Sequence, residues 1–454
     1  MKIEQLKQKK VVILGFGREG IDTYLALRKL FPQKILAVAD KKEIGQFDKK
    51  TQAILKKDKK VKLYLGKNYL AEIGDYELVI KTPGIARKEF HSLQMTSQTE
   101  IFFDNFPGTI IGVTGTKGKG TTVSLIYAIL KKAGLKVFLG GNIGAPVLQY
   151  LLRAKPNDIL IYELSSHQLQ GLKKSPHIAV FLNLFRDHLD YYQSFNEYKK
   201  AKENIAIYQT KNDYFVYAKS DKAVGDIAKK TKAKKLPYAL YDKAGLPASL
   251  REPIGEALRA GVNPMNLMAA ISVAELFKIS KEKIKQGIKA FKPLPHRLNF
   301  AGKFRGIEFY DDSMATIPEA TMAALDALGQ KVKTLIVGGS DKGSDYNGLA
   351  KKILKSSVEN LIILGQGTGE KITKNLDDLA QQGHRMTLLG KVIIFNVMTM
   401  KGAVKICYEK TPKNSACLLS PASASFNLFR DYHHRGMSFR QYVRQHSKTK
   451  QKKA

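Results

Sequence analysis

Gly112-Val113-Thr114-Gly115-Thr116-Lys117-Gly118-Lys119-Gly120-Thr121-Thr122 is the stretch whose reading decides the fold. Just before it, the apolar run 109–113 (TIIGV) reads as a buried strand. Just after it, residues 123–130 (VSLIYAIL) have the apolar content of a packed helix. Strand, glycine-rich loop, lysine, hydroxyl residues and helix, in that order, describe a phosphate cradle. Backbone N–H groups and the positive end of the helix dipole face an anion there, and glycines let the backbone approach it. The spacing assigns Gly115, Thr116, Gly118, Lys119, Gly120, Thr121 and Thr122 to a nucleotide, with Lys119 reaching its β/γ-phosphates. Thr121 or Thr122 would offer a hydroxyl to Mg²⁺, because Gly120 stands directly after the lysine, where Ser or Thr is usual. The plainer alternative is a structural glycine turn, but turn, lysine and helix agree on the nucleotide.

Toward the N-terminus, residues 10–14 (KVVIL) form a strand, followed by Gly15-Phe16-Gly17-Arg18-Glu19-Gly20 and a helical stretch at 21–31. A second strand at 34–40 ends in Asp40, 20 residues past the last glycine. This βαβ unit with GxGxxG points to a nucleotide or nucleotide-sugar site at Gly15, Phe16 and Gly17. Asp40 is either a ribose or base contact or a strand-end turn residue. A strand at 76–80 runs into Thr82-Pro83-Gly84-Ile85, a turn at the same sheet edge. Residues 87–106 turn polar, which places a domain boundary near Pro107.

Downstream of the phosphate loop, strands at 136–139, 158–162 and 178–182 end in GGNIG (140–144), ELSSHQ (163–168) and NLFRDHLD (183–190). Ligands bind beyond the C-terminal ends of such strands. Glu163 and His188, beside the phosphate loop, are therefore expected to ligate a divalent metal. Taken singly, Glu163 reads as an acid near a helix start and His188 as a satisfied buried histidine. Lys202, on a helix at 195–207, is by pattern one more surface lysine. Asn266, opening a helix at 267–276, is either a cap or a nucleotide contact, and pattern favours the cap. FKPLPHR (291–297) reads as a linker. The βα rhythm then restarts with strands at 307–310, 334–337, 360–364 and 416–419, each followed by small, polar or glycine residues.

The expected fold class is α/β in three domains. A Rossmann-like domain covers 1–106, a central P-loop ATPase-type parallel-sheet domain 107–296, and a C-terminal Rossmann-like domain 297–454. A chain of 454 residues with 44% hydrophobic content is large enough for that and is not disordered. No run approaches the roughly 20 apolar residues of a bilayer span, so no membrane insertion is expected. MKIEQLKQKK has no apolar signal core, and two cysteines make no disulfide framework, so a reducing cytoplasm is expected. The net charge of +36 fits either an anionic partner or a lysine-rich solvated surface. Basic residues are spread along the whole length, with only KTKQKK as a block, so no nucleic-acid partner is expected.

GVTGTKGKGTT, GGNIG, ELSSHQL, NLFRDHLD, the helix with Lys202, LPHR, DDSMAT, GGSDKG and LSPASASF stand in the order found in the Mur ligase family. The chain resembles that family over residues 11–443. The resemblance implies an ATP-dependent amide ligase of peptidoglycan synthesis, expected as a monomer. UDP-N-acetylmuramoyl-L-alanine would bind the first domain, ATP and two Mg²⁺ ions the second, and D-glutamate the third. Gly15, Phe16, Gly17, Asp40, Thr82, Pro83 and Gly84 would hold the UDP part. Asn142 and Ser165 match positions near the muramoyl group. Lys119 matches the γ-phosphate lysine, Glu163 and His188 the metal ligands, and Lys202 a carbamylated lysine. Lys119, Lys202 and His188 are the implied catalytic set. Asn266 and Arg297 match nucleotide contacts, and Thr316, Lys342, Ser425 and Tyr432 the amino-acid pocket.

The sequence departs from the family at several places. Gly120, as in the folylpolyglutamate synthases, leaves Thr121 as the metal hydroxyl. Met314 stands where a lysine is usual, His167 replaces an aromatic residue, and Tyr432 replaces a phenylalanine. The alternatives are a related ligase with another amino-acid acceptor, or a basic P-loop ATPase driven by nucleic acid. The latter would need aromatic–basic segments that the sequence lacks.

Overall fold

The computed structural model describes residues 1–85, 93–141, 144, 146–188, 191–239, 248–259, 262–292, 295–341, 343–381 and 392–448. Its strands form three sheets. The first contains β1 (Val11–Leu14), β2 (Leu36–Asp40), β3 (Val61–Leu65), β4 (Leu78–Lys81) and β5 (Met95–Ser97), ordered β3-β2-β1-β4-β5 and parallel throughout. The second contains β6 (Thr109–Thr114), β7 (Val137–Gly141), β8 (Ile159–Glu163), β9 (Ile178–Phe181), β10 (Tyr214–Ala218) and β11 (Lys234–Tyr238). It is also parallel, ordered β11-β10-β9-β6-β8-β7. In both sheets the strand that feeds the glycine loop, β1 or β6, lies inside the sheet where the strand order reverses. That is the position at which such sheets bind ligands.

The apolar runs are unbroken because each central strand is covered on both faces. Val11 and Ile13 point into one core and Val12 and Leu14 into the other. The third sheet repeats this, with Leu335 and Val337 on one side and Ile336 on the other.

That third sheet contains β12 (Asn299–Phe304), β13 (Ile307–Asp311), β14 (Val332–Val337), β15 (Asn360–Leu364), β16 (Ile393–Val397) and β17 (Ala416–Leu419), ordered β12-β13-β17-β14-β15-β16. It is not wholly parallel, because β12 runs antiparallel to β13. Arg305 and Gly306 between them have φ of +52° and +81°, the two-residue turn that matches strand twist.

Contacts divide the chain into two compact units. One is Met1–Phe185 with Asn196–Pro253 and Pro264–Phe291; the other is Arg186–Phe195 with Ile254–Asn263 and Lys292–Ala454. The first unit holds both the first and second sheets, tied by buried Asp22. Its carboxylate accepts from Leu148 N (2.8 Å), Gln149 Nε2 (2.8 Å) and Gln98 Nε2 (2.9 Å). The first sheet gives way to the second between the helix Gln98–Asn105 and β6. Cys407 and Cys417 are free and buried. Among the described residues no helix is long and apolar enough to cross a membrane.

Candidate active site

The phosphate loop joins β6 to the helix Lys119–Lys132. Gly115 and Gly118 have φ of +150° and +91°, and Gly118 caps the helix with no side-chain bond, so the first-turn N–H groups stay directed at the loop. Asn183 fixes the loop from β9's end. Its carbonyl accepts from Thr116 N (2.9 Å), its Oδ1 accepts from Lys117 N (2.9 Å), and its Nδ2 donates to Lys117 O (3.0 Å). Lys119 Nζ donates to Gly115 O and Thr116 O, both at 2.9 Å, which sets the ammonium over the loop. Gly120, Thr121 and Thr122 are buried.

Asn266 is not a cap. It is the third residue of the helix Pro264–Leu276, buried, and a Cβ on Gly118 would come within 2.3 Å of its Oδ1. Its amide is packed against the phosphate loop.

Lys202 corrects its sequence pattern as well. It is 1% exposed, in the last turn of the helix Phe195–Glu203, which ends four residues earlier than expected. Its Nζ donates to Gly115 O (3.0 Å) and Thr114 Oγ1 (3.3 Å) and lies 5.0 Å from the centre of the Tyr198 ring. Glu163, the buried last residue of β8, pairs in register with Val113, and Leu164 N donates to Val113 O. Both side chains thus border the residues that open the phosphate loop. The glycine cradle and the lysine over it fit a nucleotide phosphate. One buried carboxylate beside the strand that feeds the loop fits Mg²⁺, whose coordination shell is largely phosphate oxygens and water. Among the described residues, no three His, Cys, Asp or Glu gather into a self-sufficient metal site.

At the end of β1, Gly15 has φ +89°, and a Cβ there would meet Thr82 Oγ1 at 2.1 Å. A Cβ on Gly20 would meet Gly15 O at 2.1 Å, so the third glycine lets helix and loop close up. Phe16 is buried, while Gly17 caps the helix Arg18–Leu30. Asp40 closes this loop. Its Oδ2 accepts from Phe16 N (2.6 Å) and its Oδ1 from Lys42 N (2.9 Å), the behaviour of the strand-end turn residue. Pro83 is half-buried and Gly84 exposed beyond Thr82. Ser165 caps the short helix Ser166–Leu169, and Gln168 Oε1 accepts from Ser165 N at 2.9 Å. Gln168 Nε2 donates to Glu19 Oε1 (2.7 Å), joining the two loops. Burial pushes the Glu19 carboxyl up to about 7, against the pull of that hydrogen bond.

His188, Arg297, Thr316, Ser425 and Tyr432 lie in the second unit. His188 has φ +57° and is partly exposed, with Nε2 3.7 Å from the buried Asp187 carboxylate, so it is not the buried histidine of the plainer alternative. Thr316 follows β13 and is half-buried; Ser425 follows β17 and is buried; Tyr432 is exposed at the start of the helix Tyr432–Lys448. Arg297 is partly buried, and its charge opposes the burial that lifts the Asp312 carboxyl to about 7. Asn142 and Lys342 lie outside the described residues.

The UDP-N-acetylmuramoylalanine–D-glutamate ligase of Acetivibrio thermocellus is 31% identical over 469 residues, spanning 97% of both chains. Residues 113–274 match the family profile described as the Mur ligase middle domain. The chain belongs to the Mur ligase family. Solved relatives share its fold. The UDP-N-acetylmuramate–alanine ligase of Thermotoga maritima superposes with a TM-score of 0.58 at 17% identity, over 98% of this chain and 100% of that one. A MurF ligase of Thermotoga maritima, solved in complex with ADP, gives 0.57 at 15% identity, over 96% and 95%.

In this Mur ligase several residues at the site were not singled out by sequence. Asn183 was visible only as the polar end of a strand. Tyr198, whose hydroxyl donates to Thr116 Oγ1 (3.1 Å), carries no local signal, because its role depends on the helix packing under the loop.

Proposed function

We propose that this Mur ligase joins D-glutamate to UDP-N-acetylmuramoyl-L-alanine in the cytoplasm, driven by ATP. One observation carries this reading. The phosphate loop, Glu163 and a fully buried Lys202 meet at the ends of β6 and β8, in a chain related along 97% of its length to a D-glutamate ligase. The ADP bound by a solved relative supports the use of an adenine nucleotide.

The chemistry accounts for the parts. A carboxylate is a poor electrophile. The alanyl carboxylate of the UDP-sugar attacks the γ-phosphate of ATP, giving an acyl phosphate and ADP. The amine of D-glutamate then adds to the acyl carbon, and the tetrahedral intermediate expels inorganic phosphate. Both steps concentrate negative charge. The first-turn N–H groups and Lys119 hold the β/γ-phosphate oxygens, and Asn266, packed against the loop, holds the nucleotide. Mg²⁺, held by Glu163 and Thr121, would neutralise phosphate charge when bound. Gly15, Phe16, Gly17, Thr82, Pro83 and Gly84, with Asn142 and Ser165, receive the UDP-sugar, and Asp40 shapes that loop. Thr316, Lys342, Ser425 and Tyr432 receive D-glutamate. All these residues belong to one chain, so a monomer suffices.

Lys202 acts as a carbamate. An ammonium beside Mg²⁺ would be repelled, whereas the neutral amine, having lost one proton to solvent, forms an N–C bond to CO₂ and releases a second, giving an anionic carbamate with oxygen donors.

The test is product analysis. Incubation with ATP, Mg²⁺, the UDP-sugar and D-glutamate should yield one UDP-N-acetylmuramoyl-dipeptide per ADP, by mass spectrometry. ATP hydrolysis without that product would refute the reading. Met314, where the family has a lysine, favours as second reading the same activation step with another amino acid.

A further inference from the structure

The largest fully buried side chain among the described residues is Arg435, on the helix Tyr432–Lys448, and it is not among the residues assigned above. Its Nε donates to Ser313 Oγ (3.0 Å) and its Nη2 to Ser313 O (2.8 Å) and Ser423 O (3.0 Å). Its Nη1 donates to Ala424 O (3.2 Å). Ser313 Oγ donates onward to Tyr432 O at 2.7 Å. Burial pulls the guanidinium pKa down to about 9, opposed by Asp311 and Asp312, so it remains a cation at neutral pH.

A buried cation is costly unless its donors are matched. Here four hydrogen bonds to the loops that leave two strands offset that cost. Ser313 lies on the loop from β13 to Thr316. Ser423 and Ala424 lie on the loop from β17 and immediately precede Ser425. A third loop joins them, because Ser340 N, beyond β14, donates to Ala424 O at 2.9 Å. Gly339 makes room for this: a Cβ there would meet Ala424 O at 2.1 Å and Arg435 Nη1 at 3.1 Å.

We propose that Arg435 is a positioning residue for the amine substrate: its planar fork fixes the loops bearing Thr316 and Ser425 against each other and so sets the affinity for the amino acid without touching it. The proposal rests on the assignment of Thr316 and Ser425 to that substrate. Lysine would keep the charge but lose the fork.

The experiment compares full-length Arg435→Lys and Arg435→Ala with the wild type, measuring kcat and the KM of each of the three substrates. Arg435→Lys should raise the KM for D-glutamate roughly tenfold or more, while the KM values for ATP and the UDP-sugar stay within about twofold. Methylguanidinium in the buffer should partly restore Arg435→Ala, and sodium chloride at equal ionic strength should not. Should the alanine variant fail to fold, the KM split of the lysine variant decides alone. An unchanged D-glutamate KM, or an equal rise in all three, overturns the proposal. A wild type that prefers another amino acid would instead overturn the substrate assignment, and the split would then be read on that amino acid.

Discussion

Lys202 is the residue whose surroundings depart furthest from its sequence pattern. A helical lysine among 76 basic residues reads as solvated, yet this one is sealed under the phosphate loop. Lys202→Ala should lose at least about 100-fold in kcat, some 3 kcal/mol of transition-state stabilisation, and formate or acetate should restore part of it. Full activity of the variant would remove the carbamate from the account. Lys119→Ala should lose a comparable factor with its melting temperature unchanged, because its neighbours are loop carbonyls that water can serve instead. Glu19 makes a pH prediction. Its carboxyl is raised from 4.5 to about 7 in the folded chain. Between those values the folded state keeps a proton that the unfolded chain releases, so stability falls as pH rises through that window. Wild type should lose a few degrees of melting temperature between pH 5 and 8, and Glu19→Gln should lose less. Parallel curves for the two proteins would contradict the shift. Glycines and Lys119 were legible in the sequence because their roles depend on local backbone geometry. Asn183 and Arg435 were not, and Lys202 and Asn266 stood out only through the family resemblance and not by pattern, because burial by distant segments decides what surrounds them.

At the scale of elements, the unit that matters is strand, loop and helix from β6 through Lys132. Gly118 sits at φ +91° with Asn266 Oδ1 2.3 Å from where a Cβ would go. Gly118→Ala should therefore weaken nucleotide binding at least tenfold, read by titration calorimetry with ADP, and cost about 1–2 kcal/mol of stability. Normal ADP affinity would mean the loop does not need this conformation. The strands legible in the sequence were those buried on both faces, since continuous apolar runs such as VVIL and NLIIL have only one economical fate. The strands left unread lie toward the sheet edges. β3 and β11 carry exposed lysines, which suit an edge and hide the pattern. β12, with the sequence NFAGKF, has no continuous apolar run, and only its Arg305-Gly306 turn signals a hairpin.

The whole molecule carries a charge of +36, spread over its length. Such a field steers anionic substrates to the enzyme and fades with salt. The kcat/KM for the UDP-sugar should accordingly fall as sodium chloride rises from low to physiological strength, while added nucleic acid should not stimulate ATP turnover. Three βα sheets in succession were legible from the rhythm of apolar runs and glycine turns. The merging of the first two into one compact unit was not, because it depends on side chains such as Asp22 meeting Leu148 across 126 positions. The most direct measurement is phosphate release from ATP and Mg²⁺, with UDP-N-acetylmuramoyl-L-alanine, across a panel of amino acids. Release should be negligible without either the UDP-sugar or an amino acid, and fastest with D-glutamate. Faster release with L-glutamate, L-lysine or any other member of the panel would contradict the D-glutamate assignment, and release that needs no amine would contradict the ligase itself.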